Sequence, residues 1–275
     1  MRVRRAALAA VALIAVAAPS AAYAEEPLDY VALGDSSASG SGVPNQIDLV
    51  CTRSDRNWPR VAAAKLGARL TDVTCGGAKT GDLAGRQFGF VAPQYAALKP
   101  DTDLVTIAIG ANDISMGTVV PSCIRLHPEG AGGSCKAYYT SGGRDQLAER
   151  IAATAPKVAA ALDEIHRRSP SATVLVVGYG TYFAPGGCWP TDPIWAGDAD
   201  YIQATFDRLH AMLANQAAKL GARYVDIRTP SASHGVCAPP GRRWMEGLAP
   251  ASPAAPYHPN ATGLAHAGAT VAAAV

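Results

Sequence analysis

After its first two dozen residues, the sequence has no hydrophobic run long enough to cross a bilayer. Charged residues make up only 17% of the chain, and no tract is strongly basic or alternates basic with aromatic residues. We therefore expect neither a nucleic-acid partner nor stable insertion into a membrane. The lysine-containing phosphate loop, the dinucleotide-binding glycine pattern and the Gly-x-Ser-x-Gly nucleophile motif are also absent. These absences argue against nucleotide-binding proteins and against α/β-hydrolases.

The N-terminus has the three parts of a secretory signal peptide. Three arginines within the first five residues precede an apolar stretch at residues 7–18 and a small-residue pattern at residues 22–24. We expect cleavage after Ala24, so that residues 1–24 are a signal peptide and residues 25–275 form one secreted domain. Without the leader, the 24 basic residues become 21 against 22 acidic ones, so the mature chain is close to neutral.

Six cysteines follow the expected leader: Cys51, Cys75, Cys123, Cys135, Cys188 and Cys237. An even number of cysteines in a secreted chain predicts disulfides. Spacing alone does not choose the pairing, and the simplest pairing joins nearest neighbours along the chain. The competing interpretation is a zinc site, but no Cys-x-x-Cys or His-x-x-x-His pair supports it.

Short apolar runs alternate with longer helical stretches along the whole chain. The apolar runs predict five strands, at residues 30–33, 70–74, 103–110, 172–178 and 222–227. The longer stretches predict helices at residues 57–66, 146–168, 199–219 and 263–275. Runs that stay apolar without alternating are typical of strands buried on both faces. The alternation predicts an α/β domain with a parallel sheet between two helical layers, and the segment 117–143 is expected to be a loop.

Four residues follow predicted strands or lie in the last loop: Ser36, Gly77, Asn112 and His258. The carboxyl ends of parallel strands meet at one edge of a sheet, where ligands bind in open α/β folds. We therefore expect these residues to lie close together. Ser36 on its own has two interpretations, a nucleophile or a helix cap, because serine is also preferred at helix N-termini. The other histidines are expected to be structural or exposed, with His210 on a solvated helix face.

Four short motifs occur in order along nearly the whole mature chain: Gly34-Asp35-Ser36, Gly76-Gly77, Gly110-Ala111-Asn112-Asp113 and Tyr257-His258-Pro259-Asn260. Each is weak alone, but together they resemble the SGNH, or GDSL, hydrolase family. The leader and the cysteines are most similar to its secreted actinobacterial lipases and esterases. The resemblance implies a three-layer α/β/α, flavodoxin-like sheet of about five strands in the order 2-1-3-4-5. It also implies ester hydrolysis without a cofactor or a metal.

The resemblance gives a role to each of the four residues. Ser36 Oγ is expected to attack the acyl carbon, and His258 to take its proton and pass it to the leaving alcohol. The oxyanion of the tetrahedral intermediate is expected to be held by the backbone N–H groups of Ser36 and Gly77 and by the Asn112 side-chain amide. Gly76 is the alternative to Gly77 as a donor.

One position departs from the family pattern. Many members carry an aspartate three residues before the histidine, where this chain has Ala255. The resemblance implies that a backbone carbonyl, from Ala255 or Pro256, orients the imidazole instead, which predicts a Ser–His dyad with His258 as its base. Asp35 and Asp113 are expected to hold their loops and to take no part in the reaction.

The expected function is that of a secreted, monomeric carboxylic ester hydrolase, acting on acyl esters that range from short soluble esters to lipids. A carbohydrate O-acetylesterase, an acyltransferase and a non-catalytic secreted binding module are the alternatives. Five aromatic residues in the loops beyond the last two predicted strands either line an acyl pocket or belong to the local core: Tyr182, Phe183, Trp189, Trp195 and Trp244.

Overall fold

The computed structural model describes residues 26–275, and its centre is a five-stranded parallel sheet. The strands along the chain are β1 (Asp29–Gly34), β2 (Gln46–Asp48), β3 (Arg53–Ser54), β4 (Arg69–Asp72), β5 (Leu104–Ala108), β6 (Thr173–Val177) and β7 (Arg223–Val225). The short strands β2 and β3 form a separate antiparallel hairpin. The sheet order is β4-β1-β5-β6-β7, which is 2-1-3-4-5 when only the strands of the sheet are counted. The predicted topology is therefore confirmed.

Within residues 26–275, eight α-helices connect the strands or follow the last one: α1 (Ser36–Ser39), α2 (Trp58–Leu66), α3 (Thr80–Ala84), α4 (Met116–Ser122), α5 (Cys135–Tyr139), α6 (Gln146–Arg168), α7 (Ala196–Lys219) and α8 (Ala261–Ala272). The four predicted helices correspond to α2, α6, α7 and α8. The start of α2 follows from its sequence, because Asn57 Oδ1 accepts the Arg60 N–H at 3.2 Å and Pro59 lies in the first turn.

The sheet is buried on both faces, as its apolar strands predict. Val31 and Leu33 of β1 pack into the cluster that also contains the buried faces of α6 and α7. Tyr30 and Ala32, which point the opposite way, pack with α2 and α8. Helices cover both faces of the sheet, so polar functional side chains are expected in the loops at the strand ends.

The segment 117–143 contains helices where a loop was expected. Helix α4 includes Gly117 and Pro121, which are poor helix formers, so the sequence pattern does not predict a helix there. Packing stabilises it nevertheless, because Met116, Val119 and Val120 are buried in the main core cluster. This correction matters for the site, since α4 forms one of the walls described below.

Three disulfides join the cysteines in pairs: Cys51–Cys75, Cys123–Cys135 and Cys188–Cys237. This is the nearest-neighbour pairing, and it leaves no unpaired cysteine among residues 26–275 to bind zinc. Each bridge contributes roughly 2–4 kcal/mol by restricting the unfolded chain. The Cys51–Cys75 bridge also joins the β2–β3 hairpin to the turn after β4.

The expected leader, residues 1–24, lies outside the residues that the structure describes. From residue 26 onward, no helix has the length and apolar character that a membrane crossing requires.

Candidate active site

The four residues expected at the carboxyl edge of the sheet are all placed there by neighbouring elements. Ser36 is the first residue of α1, directly after β1, and Asn112 follows β5. Gly77 lies in the turn between β4 and α3, and His258 lies in the loop before α8. Ser36, Asn112 and His258 line one cavity, whereas Gly77 lies beside it, next to Ala78.

A chain of two hydrogen bonds runs through His258. Its Nδ1 lies 2.8 Å from the carbonyl oxygen of Pro256, and its Nε2 lies 2.8 Å from Ser36 Oγ. A carbonyl oxygen only accepts, so the Nδ1–H donates to Pro256 and the unprotonated Nε2 accepts the Ser36 hydroxyl. Ala255 has a different part, because its carbonyl accepts the backbone N–H of His258 at 3.1 Å. Of the two candidate carbonyls, Pro256 is the one that contacts the ring.

Burial sets the charge state of this imidazole. It lowers the pKa of His258 below the ordinary value of 6.5, and the hydrogen bond to Pro256 acts in the opposite direction with a smaller effect. The neutral ring, which can accept a proton, is therefore the dominant form at neutral pH.

Asp35 holds the turn that carries Ser36. The carboxylate is buried at 1% exposure; one oxygen accepts the Ser37 N–H at 2.9 Å, which caps α1, and the other accepts the Tyr179 hydroxyl at 2.7 Å. Burial raises the pKa of Asp35 to about 6, while both hydrogen bonds oppose that rise. The carboxylate oxygens are thus directed at the turn and at Tyr179, and not at the imidazole.

Tyr179 joins three strand ends through one hydroxyl and one amide. Its hydroxyl donates to Asp35 after β1 and accepts the Ala111 N–H, 3.1 Å away, after β5. Its own N–H, just beyond β6, donates to His210 Nε2 at 3.2 Å. The expectation of a solvated His210 is therefore wrong, because α7 packs this ring against the sheet. Burial lowers the pKa of His210 to about 4 and keeps the ring neutral.

Replacing Tyr179 with phenylalanine is expected to lower the free energy of unfolding by roughly 1–3 kcal/mol. The substitution leaves the Ala111 N–H and one Asp35 oxygen buried without their partner. Urea unfolding at pH 8, where Asp35 is ionised, measures the change. Tyr138→Phe is a matched control, because Tyr138 is exposed. An unfolding free energy equal to that of the parent would contradict this role for the hydroxyl.

Gly76 and Gly77 differ in whether their backbone N–H is already used. The N–H of Gly76 donates to the Cys51 carbonyl at 2.8 Å. Those of Gly77 and Ser36 have no acceptor within residues 26–275. Gly77 also has φ +78°, a left-handed conformation that favours glycine. Of the two glycines, Gly77 is the one with a donor left for a ligand.

The neighbours Asn112 and Asp113 face different partners. The side-chain nitrogen of Asn112 donates to the Ala78 carbonyl at 3.0 Å, which fixes the amide beside the Gly77 turn and leaves its second N–H for another acceptor. The Asp113 carboxylate accepts the backbone N–H of Thr80 at 3.0 Å and its hydroxyl as well. Asp113 thus anchors the start of α3.

The cavity at Ser36 has a volume of about 330 Å³ and one apolar wall. Helix α4 and the residues next to it supply much of that wall: Met116, Val120, Pro121 and Ile124. Tyr182, Phe206 and Leu248 extend it on the other side. These residues were missed from the sequence because the α4 segment was expected to be a loop. The signal that was present is the pair Val119-Val120 between two helix-breaking residues.

Only one of the five aromatic residues proposed for an acyl pocket lines this cavity. Tyr182 does so, with its ring stacked on Phe206 at a centroid distance of 4.0 Å. Trp244 is instead stacked between His234 and His266. The remaining three also lie outside the cavity lining: Phe183, Trp189 and Trp195.

Comparison with known proteins places the chain in a family. The GDSL-like Lipase/Acylhydrolase family matches residues 32–266, a span that contains the four site residues and every strand except the first half of β1. The chain belongs to this family. Lipase 2 of Streptomyces coelicolor is 39% identical, in an alignment that covers 95% of this chain and 92% of the relative.

Solved structures of GDSL-type relatives share the fold over nearly their whole length. An extracellular lipase from Streptomyces rimosus superposes with a TM-score of 0.73 at 29% identity, covering 90% of this chain and 100% of that one. A phospholipase A1 from Streptomyces albidoflavus gives a TM-score of 0.72 at 26% identity, covering 90% and 99%. The family match and these relatives together identify the chain as an ester hydrolase.

Proposed function

We propose that the chain is a secreted lipase or esterase that hydrolyses acyl esters through a Ser36–His258 dyad. The observation that carries the proposal is the 2.8 Å contact between Ser36 Oγ and His258 Nε2 at the wall of an apolar cavity. A nucleophile in hydrogen-bond contact with a base that is itself oriented by a third group is the arrangement that acyl transfer requires.

The reaction has two stages, acylation of Ser36 and hydrolysis of the acyl-enzyme. Ser36 Oγ forms a bond to the ester carbonyl carbon while its proton moves to His258 Nε2, and the carbonyl oxygen becomes an oxyanion. The intermediate collapses, the bond to the alkoxy oxygen breaks, and the imidazolium gives its proton to the leaving alcohol. Water then attacks the acyl-enzyme, with His258 again taking a proton, and the carboxylic acid leaves as Ser36 is regenerated.

The Ser36 and Gly77 N–H groups and the Asn112 amide are proposed as the oxyanion donors. Their support is that the two backbone groups have no acceptor among the described residues, and that the amide has one N–H left over. The Pro256 carbonyl takes the third role in the dyad. It fixes the tautomer of His258, but as a neutral group it stabilises the imidazolium less than a carboxylate does.

The apolar wall favours an acyl chain of several carbons over an acetyl group. Met116, Val120 and Tyr182 offer a chain contacts that a two-carbon acyl group does not reach, and burial of each methylene contributes about 0.8 kcal/mol. A lipid or medium-chain ester is therefore preferred as substrate to an acetylated carbohydrate. Rates on nitrophenyl esters of increasing chain length, beside an acetylated polysaccharide, compare the two.

Labelling with an alkylphosphonate tests the nucleophile directly. The parent protein is expected to take up one phosphonate per chain, and Ser36→Ala none. Ser37→Ala is the matched control, because it removes the neighbouring hydroxyl and is expected to keep the label. A label that persists in Ser36→Ala places the nucleophile elsewhere, and a parent that neither labels nor hydrolyses any ester favours the secreted binding module.

Secretion is supported by the leader pattern at residues 1–24 and by the three disulfides, which persist in oxidising compartments. The Streptomyces rimosus relative, which shares the fold over its whole length, is an extracellular lipase. N-terminal sequencing of protein from the culture medium is expected to start at Glu25.

The pH dependence of turnover is expected to report the base. His258 must be neutral to accept a proton, so kcat/KM falls as pH drops through its pKa, which burial places below 6.5. The acid limb of the pH profile is therefore expected to have its midpoint below pH 6.5. Asp35→Asn is the control, because the pKa of Asp35 is about 6 and asparagine still caps a helix. An acid limb that vanishes in Asp35→Asn would assign the titration to Asp35.

A further inference from the structure

Large apolar side chains are exposed beside the site. Nine such side chains are exposed in residues 26–275, and five of them lie in the β2–β3 hairpin or in the turn after α3: Ile47, Leu49, Val50, Phe88 and Phe90. Leu49 is 80% exposed and Phe90 is 62% exposed. The rings of Phe88 and Phe90 lie 6.3 Å apart. We refer to these five residues as the apolar patch; clusters of exposed large apolar side chains commonly mark an interaction site.

Both loops of the apolar patch are fixed to the same residue, Gly76. Val50 precedes Cys51, whose carbonyl accepts the Gly76 N–H at 2.8 Å. Phe88 follows Gln87, which is buried and whose side-chain nitrogen donates to the Gly76 carbonyl at 2.8 Å. Gly76 directly precedes Gly77, the proposed oxyanion donor. The apolar patch therefore flanks the turn on which the reacting ester oxygen would rest.

The hairpin loop is also attached to the helix that carries the nucleophile. Ser39, in α1 with Ser36, donates its hydroxyl to the Thr52 carbonyl at 3.1 Å. Thr52 follows the Cys51 that is bridged to Cys75. The apolar patch is thus bonded to the Gly76-Gly77 turn through both of its segments and to α1 through the hairpin, although none of its side chains lines the cavity.

One member of the apolar patch is held in an unfavourable backbone conformation. Phe88 has φ +54° and Gly89 has φ +81°, at the tip of a tight turn closed by the Phe90 N–H and the Gln87 carbonyl at 3.2 Å. A left-handed backbone costs an ordinary residue about 1–2 kcal/mol, whereas asparagine and glycine adopt it easily. Nothing in the turn itself requires phenylalanine at this tip, so its presence there points to a use outside the fold.

Charge next to the apolar patch narrows the choice of partner. Arg86 is exposed, makes no ion pair among the described residues, and donates to the Phe90 carbonyl at 3.2 Å. Asp48, the acidic residue within the hairpin, is already paired with Arg53 at 2.7 Å. The surface therefore combines exposed apolar side chains with one cation lacking a carboxylate partner, which complements the acyl region and the phosphate of a phospholipid.

We propose that the apolar patch, with Arg86, docks the enzyme on a phospholipid surface so that the Gly77 turn faces the lipid. The proposal rests on the proposed function, because it names the surface from which the acyl ester is drawn. Large apolar side chains that enter the interface supply the affinity, as in other proteins that lie on a bilayer without crossing it.

Co-sedimentation with phosphatidylcholine vesicles tests the docking. Ser36→Ala is used as the parent so that no lipid is consumed. Phe88→Asn combined with Phe90→Ser is expected to weaken vesicle binding at least tenfold, because the variant loses two rings that the lipid would bury. Asparagine suits the left-handed tip, so the variant is expected to fold, with an unfolding midpoint no lower than that of its parent. Val275→Ser, three residues beyond the end of α8, is the matched control and is expected to bind like the parent.

Activity gives the second measurement, in chains that keep Ser36. The Phe88→Asn, Phe90→Ser variant is expected to lose at least tenfold in hydrolysis of vesicle lipid while its rate on soluble nitrophenyl butyrate stays within twofold. Equal vesicle binding by parent and variant overturns the docking proposal. A parent that sediments as a dimer, and a variant that sediments as a monomer, overturn it as well, because the apolar patch is then a dimer interface. Vesicle binding is measured without turnover, so it stands or fails separately from the ester hydrolase proposal.

Discussion

Replacing His258 with alanine is expected to lower kcat for ester hydrolysis by about 10⁴- to 10⁶-fold. Without the imidazole, Ser36 must attack as a neutral hydroxyl, and no group takes its proton through the 2.8 Å contact that Nε2 now provides. The leaving alcohol also loses its proton donor. Initial rates on nitrophenyl butyrate, with intact folding checked by circular dichroism, measure the effect.

The proposed dyad is expected to act as a unit, so the effects of substituting its two members on kcat should not add. The double variant Ser36→Ala, His258→Ala is expected to be no slower than either single variant within a few-fold. Glu246→Gln is the matched control for a hidden carboxylate partner, because Glu246 is buried and its N–H donates to the His258 carbonyl. It is expected to keep most of the turnover, and a loss as large as that of His258→Ala would show that a carboxylate completes the site.

The convergence of the site could be predicted because it depends on topology. Ser36 and Asn112 each follow a buried parallel strand, and parallel strands bring their carboxyl ends to one edge whatever the loops do. The cap interpretation of Ser36 is wrong, because its neighbour is the cap, and the role of Ser36 as a nucleophile stays a prediction. Asp35 is the N-cap of α1, and Ser36, one residue later, presents its hydroxyl to His258.

The choice between the Ala255 and Pro256 carbonyls was out of reach of the sequence. It depends on Tyr257, which has φ +57° and whose hydroxyl is held by the buried Asp192 at 3.1 Å. That conformation is imposed by contacts between residues far apart in the chain, and tyrosine has no preference for it. The family resemblance therefore predicts that a carbonyl orients the ring, whereas tertiary packing decides which one.

The apolar wall of the cavity could not be predicted from the sequence for a related reason. Helix α4 contains Gly117 and Pro121, so its local propensity is low and the segment is expected to be a loop. Burial of Val119 and Val120 outweighs that propensity in the folded chain. His210 was expected on a solvated helix face and is buried instead. A histidine within a long helix does not indicate which face of the helix packs on the sheet.

Replacing Asn112 with alanine is expected to lower kcat by about 10²- to 10³-fold, with a much smaller change in KM. The amide N–H that is not used by Ala78 is proposed to bond the oxyanion, which exists only after Ser36 has attacked, so its loss raises the barrier more than it weakens substrate binding. Asn112→Asp tests the donor itself, because it keeps the size of the side chain but offers an acceptor, and it is expected to lower kcat at least as much as alanine. Asp113→Asn is the neighbouring control, expected to reduce stability at the Thr80 contact while leaving kcat within a few-fold. A wild-type kcat in Asn112→Asp would remove the amide from the oxyanion site and leave the two backbone N–H groups as its donors.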